Sequence, residues 1–359
     1  MPDPILDPML EPMIVKENEP LAPLTTLGVG GPARWFAEAT NEAEIAEAAA
    51  SAARRGVPLF VLGGGSNLLV SDAGFDGLVL RVCLRGIAAE NAGSDRVYRA
   101  AAGEDWDAFV TRAIAEDCAG IECLAGIPGT VGGTPVQNVG AYGQEVASVI
   151  ERVRAFDLRS SEFIEFTACE CGFSYRRSRF NSKDRGRFVV TRVDYRLHRG
   201  GGPTIAYPDL KRALSERGTA AGDPTLAEVA NAVRRIRQSK GMLLVEDDPD
   251  CRSAGSFFKN PVLTAERFGE IAARGAVPPS FPAGPGMVKL PAAWLIEQAG
   301  FAKGYSLGAA GISIRHTLAL VNRGSATAAE ILALARQISA RVEARFGIRL
   351  EMEPVLIGF

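Results

Sequence analysis

Apolar positions recur with two periods along this chain, and the stretches where neither period holds are as telling as the elements themselves. Asn41-x-x-Glu44 is a capping box that opens an alanine-rich helix stopped by Gly56. Trp106, Phe109, Val110, Ala113 and Ile114 share one helical face, with Gly120 as the stop. Thr225-x-x-Glu228 opens a helix with Val229, Val233 and Ile236 on one side. Pro291 suits a first helical position, with Trp294 and Leu295 facing inward and Gly300 as the stop. Thr327-x-x-Glu330 opens the longest helix, which ends near Gly347.

Strand patterns fall at 34–38, 58–62, 68–70, several short runs between 77 and 102, 149–157 and 188–197. The last alternates clearly at Val189, Thr191, Val193 and Tyr195. Residues 253–261 read as loop and strand, 268–288 as an exposed loop dense in Gly and Pro, and 348–357 as a final strand. Strands and helices mix without strict βαβ alternation and no repeat is visible, so the expected class is α+β.

Between these elements lie two glycine-rich interruptions. The longer contains Gly126, Ile127, Pro128, Gly129, Gly132, Gly133, Pro135, Gln137, Asn138, Gly140, Ala141, Tyr142 and Gly143. The shorter is Gly63-Gly64-Gly65-Ser66-Asn67. Runs with so little side chain bare their backbone N–H groups, which in turn conformations form concavities for anions. Two of them in one chain point to a large phosphorylated cofactor gripped by backbone. A strand-like run, Leu68-Leu69-Val70, follows the first loop where a dinucleotide fingerprint needs a helix, and no Gly-Lys-Ser/Thr occurs for a phosphate-binding P-loop.

Composition narrows the picture further. The 359 residues suggest roughly two to three domains. A net charge of −2 gives no electrostatic case for nucleic acid or a membrane surface. No apolar run is long enough to span a bilayer. Residues 1–22, rich in acids and proline, lack the n-region and h-region of a signal peptide and read as a disordered tail. The six cysteines fit no disulfide framework, and with only two histidines, His198 and His316, Cys169-x-Cys171 makes a poor metal site. Reduced thiols in a cytoplasmic protein, with no bound metal, are expected.

Six stretches taken in order resemble one family. They are Val61-Leu-Gly-Gly-Gly-Ser-Asn-Leu-Leu, the 126–143 loop, Phe173-Ser-Tyr-Arg-Arg-Ser-Arg-Phe, Gly255-Ser-Phe-Phe-Lys-Asn-Pro, Trp294-Leu-Ile-Glu and Leu350-Glu-Met-Glu-Pro. Together they span about 25–358 and resemble the UDP-N-acetylenolpyruvoylglucosamine reductases, flavoenzymes of peptidoglycan precursor synthesis. The resemblance implies an α+β fold: a split FAD-binding unit of the vanillyl-alcohol-oxidase (PCMH) type plus a smaller substrate domain. The implied division is 23–86 and 87–238 for the two FAD-binding subdomains, 239–346 for the substrate domain and 347–359 for a strand returning to the flavin region. It also implies non-covalent FAD, NADPH as hydride donor and UDP-N-acetylglucosamine enolpyruvate as substrate, handled by a monomer without nucleic-acid or membrane partners.

Reducing the enolpyruvyl double bond leaves charge on the carbon bearing the carboxylate, and that carbon must be protonated. The site therefore needs a proton donor, support for an enolate-like carboxylate and a grip on diphosphate. By resemblance Ser256 is the donor, although a serine after glycine otherwise reads as a turn or capping residue. Arg176 matches the arginine that holds the carboxylate, with Arg177 and Arg179 as neighbours that read as surface charges. Glu353 matches the third catalytic residue; on an extended strand it shares a face with Glu351, so periodicity cannot separate them. Tyr175 and the loop residue Tyr207 match substrate-pocket positions, as do Lys240, Asn260 and Lys303; Lys259 is a weaker candidate. Gly63–Asn67 would hold the FAD diphosphate, helped by Ser66 and Asn67, and Gln137 and Asn138 would bond the flavin edge. Two departures stand out: the final proline follows Glu353 instead of preceding it, and Asn181 stands where a lysine is common.

Two competing readings remain open at this point. One is an FAD-linked sugar or alcohol oxidase of the same superfamily, in which the flavin is often tethered through His or Cys; Cys123 lies just before a flavin loop. The other is a nucleotide-sugar sensor that has lost its chemistry.

Overall fold

The structure, a computed structural model, describes residues 13–215, 223–273 and 277–359. Its first sheet runs in the order Val15–Pro20, Pro32–Ala39, Phe75–Val82, Leu59–Leu62. The first pair is antiparallel and the other two are parallel. Parallel neighbours need a crossover, and the Glu42–Arg55 helix provides one. Asn41 Oδ1 accepts the Glu44 N–H at 3.0 Å, the Glu44 carboxylate accepts the Thr40 N–H at 2.6 Å, and Gly56 closes the helix at φ 65°. Ile45, Ala48 and Ala52 face the core.

The tail expected over 1–22 is corrected. Val15–Pro20 is an edge strand, and Leu21 is buried against Phe36 and Leu62. Its exposed polar side chains gave no apolar pattern to read; the ladder to Pro32–Ala39 is what orders it. Residues 1–12 lie outside the described residues.

The second sheet is antiparallel and orders Glu162–Thr167, Ile150–Asp157, Phe188–Arg199, Asp95–Ala101 and Ile87–Ala92, with Cys118–Ala119 beside the end of Phe188–Arg199. The Trp106–Ala115 helix packs on it through a cluster of Trp106, Phe109, Tyr98 and Tyr195 rings. Truncating a ring like Phe109 to alanine costs about 3–5 kcal/mol. The helix stops at Ala115, before Gly120, because Asp117 turns left-handed (φ 54°) and Cys118–Ala119 joins the sheet.

The C-terminal part holds a sheet ordered Ser253–Ser256, Ala319–Asn322, Ala310–Ile312, Ser306–Leu307, covered by the Ala328–Phe346 helix. That helix has the Thr327/Glu330 capping box, and Asp72 from the N-terminal half accepts the Ala328 and Ala329 N–H groups at 2.7 and 2.9 Å. The expectation of an exposed loop over 268–288 is corrected. The Ala265–Ala272 helix runs into it, and Phe281–Pro282 and Met287–Lys289 pair within a three-stranded sheet. Gly284 and Gly286, at φ 114° and 67°, form the turn between the last two of these strands, where the Met287 N–H donates to the Gly284 carbonyl at 3.1 Å.

The final strand is also shorter than 348–357. Only Val355–Ile357 forms a ladder, parallel to Leu68–Val70, and Met352 bridges Phe258. Pro354, with no N–H to donate, interrupts the pairing between them. This return brings the C-terminus beside the first glycine loop, where the Val355 N–H donates to the Asn67 carbonyl at 3.0 Å.

Candidate active site

One cavity of about 890 Å³ is lined by both glycine loops, by the 175–181 segment, by the segment after the Leu226–Ser239 helix, and by residues around Ser256, Lys289, His316 and Glu353. Its two ends are built differently.

At one end the walls are backbone. A Cβ on Gly64 would sit 2.6 Å from Gly129 Cα, so the two loops pass at a distance only glycine allows. Gly65 lies at φ 64°, and a Cβ there would land on the Leu24 carbonyl oxygen. Ser66 Oγ donates to the Pro128 carbonyl at 2.9 Å, and Asn67 Nδ2 donates to Gln137 Oε1 at 2.6 Å and to the Glu353 carbonyl at 3.3 Å. The loops are thus tied to each other and to the C-terminal segment. Gly132, Gly133, Gly140, Ala141, Tyr142, Gly143, Ile127 and Pro128 line the space, and nothing lies within 4 Å of a Cβ built on Gly133. A wide cleft floored by glycine backbone fits a flat ring system and a diphosphate, so the residues present suit FAD.

Two flavin-loop expectations are corrected. Asn138 is buried and does not face the cavity; its amide is spent on Glu145 (3.0 Å), the Ser174 carbonyl (3.1 Å) and the Ala147 N–H (3.1 Å). Gly126 lies at the root of its loop, its N–H on Asp107 and its carbonyl on Arg237, outside the lining.

At the other end the walls are side chains. Arg176 and Tyr175 sit at the tip of a tight turn closed by Ser174 and Arg177. Arg176 has φ 54°, a left-handed conformation that costs an arginine roughly 1–2 kcal/mol. Its Nε lies 3.2 Å from Glu353 Oε1, yet that N–H is aimed at no acceptor and stays without a hydrogen bond. A buried, unsatisfied guanidinium donor is a ready place for an anionic oxygen.

Burial pushes the Glu353 carboxyl above the ordinary range, against the pull of Arg176 and Lys259. The structure separates it from Glu351: the Glu353 side chain is 12 % exposed, whereas Glu351 is 72 % exposed and pairs with Lys259 at 2.5 Å on the rim. Ser256 ends its strand beside this acid, since the next residue, Phe257, accepts the Glu353 N–H at 2.9 Å.

Tyr175 lies under the Lys289 ammonium, 4.8 Å from its ring centre. Burial holds its hydroxyl above the ordinary range, against the pull of Arg176. Asn260 Oδ1 accepts the Ala292 N–H at 2.8 Å. Tyr207 packs edge-on against Tyr142, 5.6 Å between centres, just before the Pro208–Ser215 helix. Asp209 on that helix holds Lys240 at 2.9 Å. Lys303 is not on the lining; His316 is, and burial, with Lys240 and Lys303 adding to it, pushes its imidazole down to about 4.

Sequence reasoning missed Lys289, His316 and Arg237. Only Arg237 had a signal: it continues the Val229, Val233 stripe on the buried helical face, where a charge is anomalous. It is buried, donates to the Gly126 and Met242 carbonyls, and its guanidinium is held below its usual range by desolvation. Cys123 is off the lining; burial lifts its thiol to about 12 and its Sγ donates to the Thr204 carbonyl, so it offers no tether for a flavin. Among the described residues no cluster of metal-binding side chains occurs, and no helix is long and apolar enough to cross a membrane.

Comparison with known proteins bears directly on this site. Residues 33–166 match the model of an FAD binding domain, and 247–357 match that of the C-terminal domain of UDP-N-acetylenolpyruvoylglucosamine reductase. A UDP-N-acetylenolpyruvoylglucosamine reductase of Streptomyces coelicolor is 47 % identical, with 97 % of this chain and 92 % of that one covered. One of Thermobifida fusca is also 47 % identical, over 95 % of this chain and 97 % of its own. The crystal structure of UDP-N-acetylenolpyruvylglucosamine reductase (MurB) from Thermus caldophilus superposes with a TM-score of 0.65 at 28 % identity, covering 96 % of this chain and 99 % of that one. With matches of this identity along nearly its whole length, the chain belongs to the UDP-N-acetylenolpyruvoylglucosamine reductase family.

Proposed function

We propose that this protein reduces the enolpyruvyl group of UDP-N-acetylglucosamine enolpyruvate to the lactyl ether of UDP-N-acetylmuramate, with NADPH as reductant, and that the residues at the side-chain end of the cavity do the following work. Bound FAD supplies hydride transfer between NADPH and the substrate double bond. Gly63, Gly64, Gly65, Ser66 and Asn67 hold its diphosphate, and Gly129, Gly132, Gly133, Gln137 and residues 140–143 bear on its ring system. The observation that carries the reading is Arg176 on the cavity lining, its buried Nε–H without a hydrogen bond and Glu353 3.2 Å away.

Arg176 binds the substrate carboxylate and supports the charge that develops as hydride arrives at the remote vinyl carbon. Ser256 Oγ–H gives its proton to the carbon bearing that carboxylate, a contribution of roughly 10²–10⁴-fold for a well-placed general acid. Glu353 fixes the Arg176 guanidinium. Tyr175 and Asn260 flank the sugar, Lys240 takes the diphosphate, Tyr207 closes over the nucleotide, and Lys303 acts at longer range. The lining carries Arg176, Arg237, Lys240, Lys259 and Lys289 against Glu145 and Glu353, a balance that suits a substrate with a diphosphate and a carboxylate.

Residues 23–86 and 87–238 serve the flavin, 239–346 the substrate, and 347–359 return Glu353 to the junction. The same reading has a cytoplasmic monomer, free of nucleic-acid and membrane partners; a net charge of −2 gives no electrostatic pull toward nucleic acid or an anionic membrane. The test is purified protein with NADPH and the enolpyruvyl nucleotide sugar under exclusion of air. NADPH loss matched by a product heavier by one hydride and one proton is expected. Acid should release free flavin. NADPH consumption independent of the nucleotide sugar would overturn the reading.

A further inference from the structure

The turn that carries Arg176 closes twice: the Ser174 N–H donates to the Arg177 carbonyl at 2.9 Å, and the Arg177 N–H donates to the Ser174 carbonyl at 3.0 Å. Arg176 occupies its third position with φ 54°, where such turns take glycine or asparagine. An arginine persists there only when its surroundings over-determine the backbone. Two asparagine side chains do this, one at each end of the Tyr175-Arg176 pair. Asn181 Nδ2 donates to the Arg176 carbonyl at 3.1 Å while its Oδ1 accepts the Ser178 N–H at 2.9 Å. Asn138 Nδ2 donates to the Ser174 carbonyl at 3.1 Å while its Oδ1 accepts the Ala147 N–H at 3.1 Å. The carbonyls on both sides of the Tyr175-Arg176 pair are therefore pinned, each by an amide that is itself anchored by a second bond. A lysine at 181 could donate to Arg176 but could not accept from Ser178.

We propose that Asn181 and Asn138 are positioning residues that hold the Arg176 backbone left-handed and so keep its guanidinium at Glu353, facing the substrate carboxylate. This rests on the assignment of Arg176 to that carboxylate. Without the Asn181 bond the turn relaxes toward negative φ and swings the guanidinium away from Glu353. Asn181 is the cleaner lever, because Asn138 also ties down the flavin loop through Glu145 and Ala147.

The experiment is a double-mutant cycle of Asn181→Ala with Arg176→Ala on the FAD-loaded enzyme, with the two half-reactions followed separately. In the otherwise native enzyme, reoxidation by the enolpyruvyl nucleotide sugar should slow about 10- to 100-fold, as expected for a misplaced binding group. Flavin content and reduction by NADPH should stay within about twofold, and in the Arg176→Ala background Asn181→Ala should add less than about twofold. Full slowing in the Arg176→Ala background, equal slowing of both half-reactions, or unchanged reoxidation would each overturn the proposal. Should Asn181→Ala fail to fold, Asn181→Asp keeps the acceptor for Ser178 and replaces the donor to Arg176 by a negative charge; the same cycle is read on it and on the uncharged Asn181→Ser, and slowing by Asn181→Asp alone would overturn the proposal. Failure of the unsubstituted enzyme to be reoxidised by the nucleotide sugar would instead remove the assigned reaction.

Discussion

The two ends of the cavity solve opposite problems. At the glycine end, function depends on the absence of side chains: Gly64 and Gly129 pass so closely that a methyl group collides with backbone. At the other end, the proposed function depends on side chains delivered by separate segments: Arg176 from a turn, Ser256 from a strand end, Glu353 from the returning C-terminus. The first end should respond to substitution by losing its cofactor. The second should keep the cofactor and lose one step of the reaction.

The largest effect that would break this contrast is at Arg176. Arg176→Ala should slow flavin reoxidation by the nucleotide sugar roughly 10²–10⁴-fold while the flavin stays bound, and Arg176→Lys should recover little, because an ammonium lacks the fork. Loss of flavin from either variant, read as the ratio of flavin to protein absorbance, would erase the distinction between the ends. Next comes Gly64→Ala, which should weaken FAD about 10- to 100-fold by forcing apart two packed loops, an overpacking cost of about 1–3 kcal/mol. Its companion, Gly133→Ala, meets nothing within 4 Å, so the apoprotein should melt at an unchanged temperature while FAD binds more weakly. If both glycines affect only the apoprotein, the cradle is structural.

A smaller effect separates two lysines. Lys240 lines the cavity and Lys303 does not, so Lys240→Ala should raise KM about tenfold and Lys303→Ala by about twofold or less, as expected for losing a direct charged contact or a distant one. Equal effects would bring Lys303 into the site. The smallest concerns His316. Its folded pKa of about 4 lies below the ordinary 6.5, so between these values the unfolded chain binds more protons. Stability should therefore rise from pH 4 to 6.5 and be lost on acidification, by at most about 1.4 kcal/mol per pH unit from this group. His316→Gln should flatten that slope in denaturant titrations; an unchanged slope would place the acid sensitivity elsewhere.

How much of this was legible in the sequence follows the same division. The glycine loops announced themselves, because unusual backbone needs unusual composition, and the Asn41, Thr225 and Thr327 helix starts were readable because capping is local chemistry. The α+β class followed from the mixed periods. The convergence at the reactive end was not local: the registers of Arg176, Ser256 and Glu353 came from resemblance, and no periodicity could separate Glu353 from Glu351 until Pro354 and the Met352–Phe258 bridge put one in the floor and the other on the rim. Asn138 reads as a polar group in a flavin loop, and only three-dimensional contacts show its amide committed to Ser174, Glu145 and Ala147. Val15–Pro20 was hidden for a related reason, since its order comes from the neighbouring strand and not from its own side chains.

The central claim, that the side-chain end serves one half-reaction, is tested most directly with Ser256→Ala under anaerobic stopped flow at the flavin absorbance band. NADPH should bleach the bound flavin at close to the native rate, and the enolpyruvyl nucleotide sugar should restore the oxidised spectrum roughly 10²–10⁴-fold more slowly. Restoration at the native rate, or equal slowing of bleaching and restoration, would contradict the assignment of Ser256 as proton donor and with it the division of labour between the two ends.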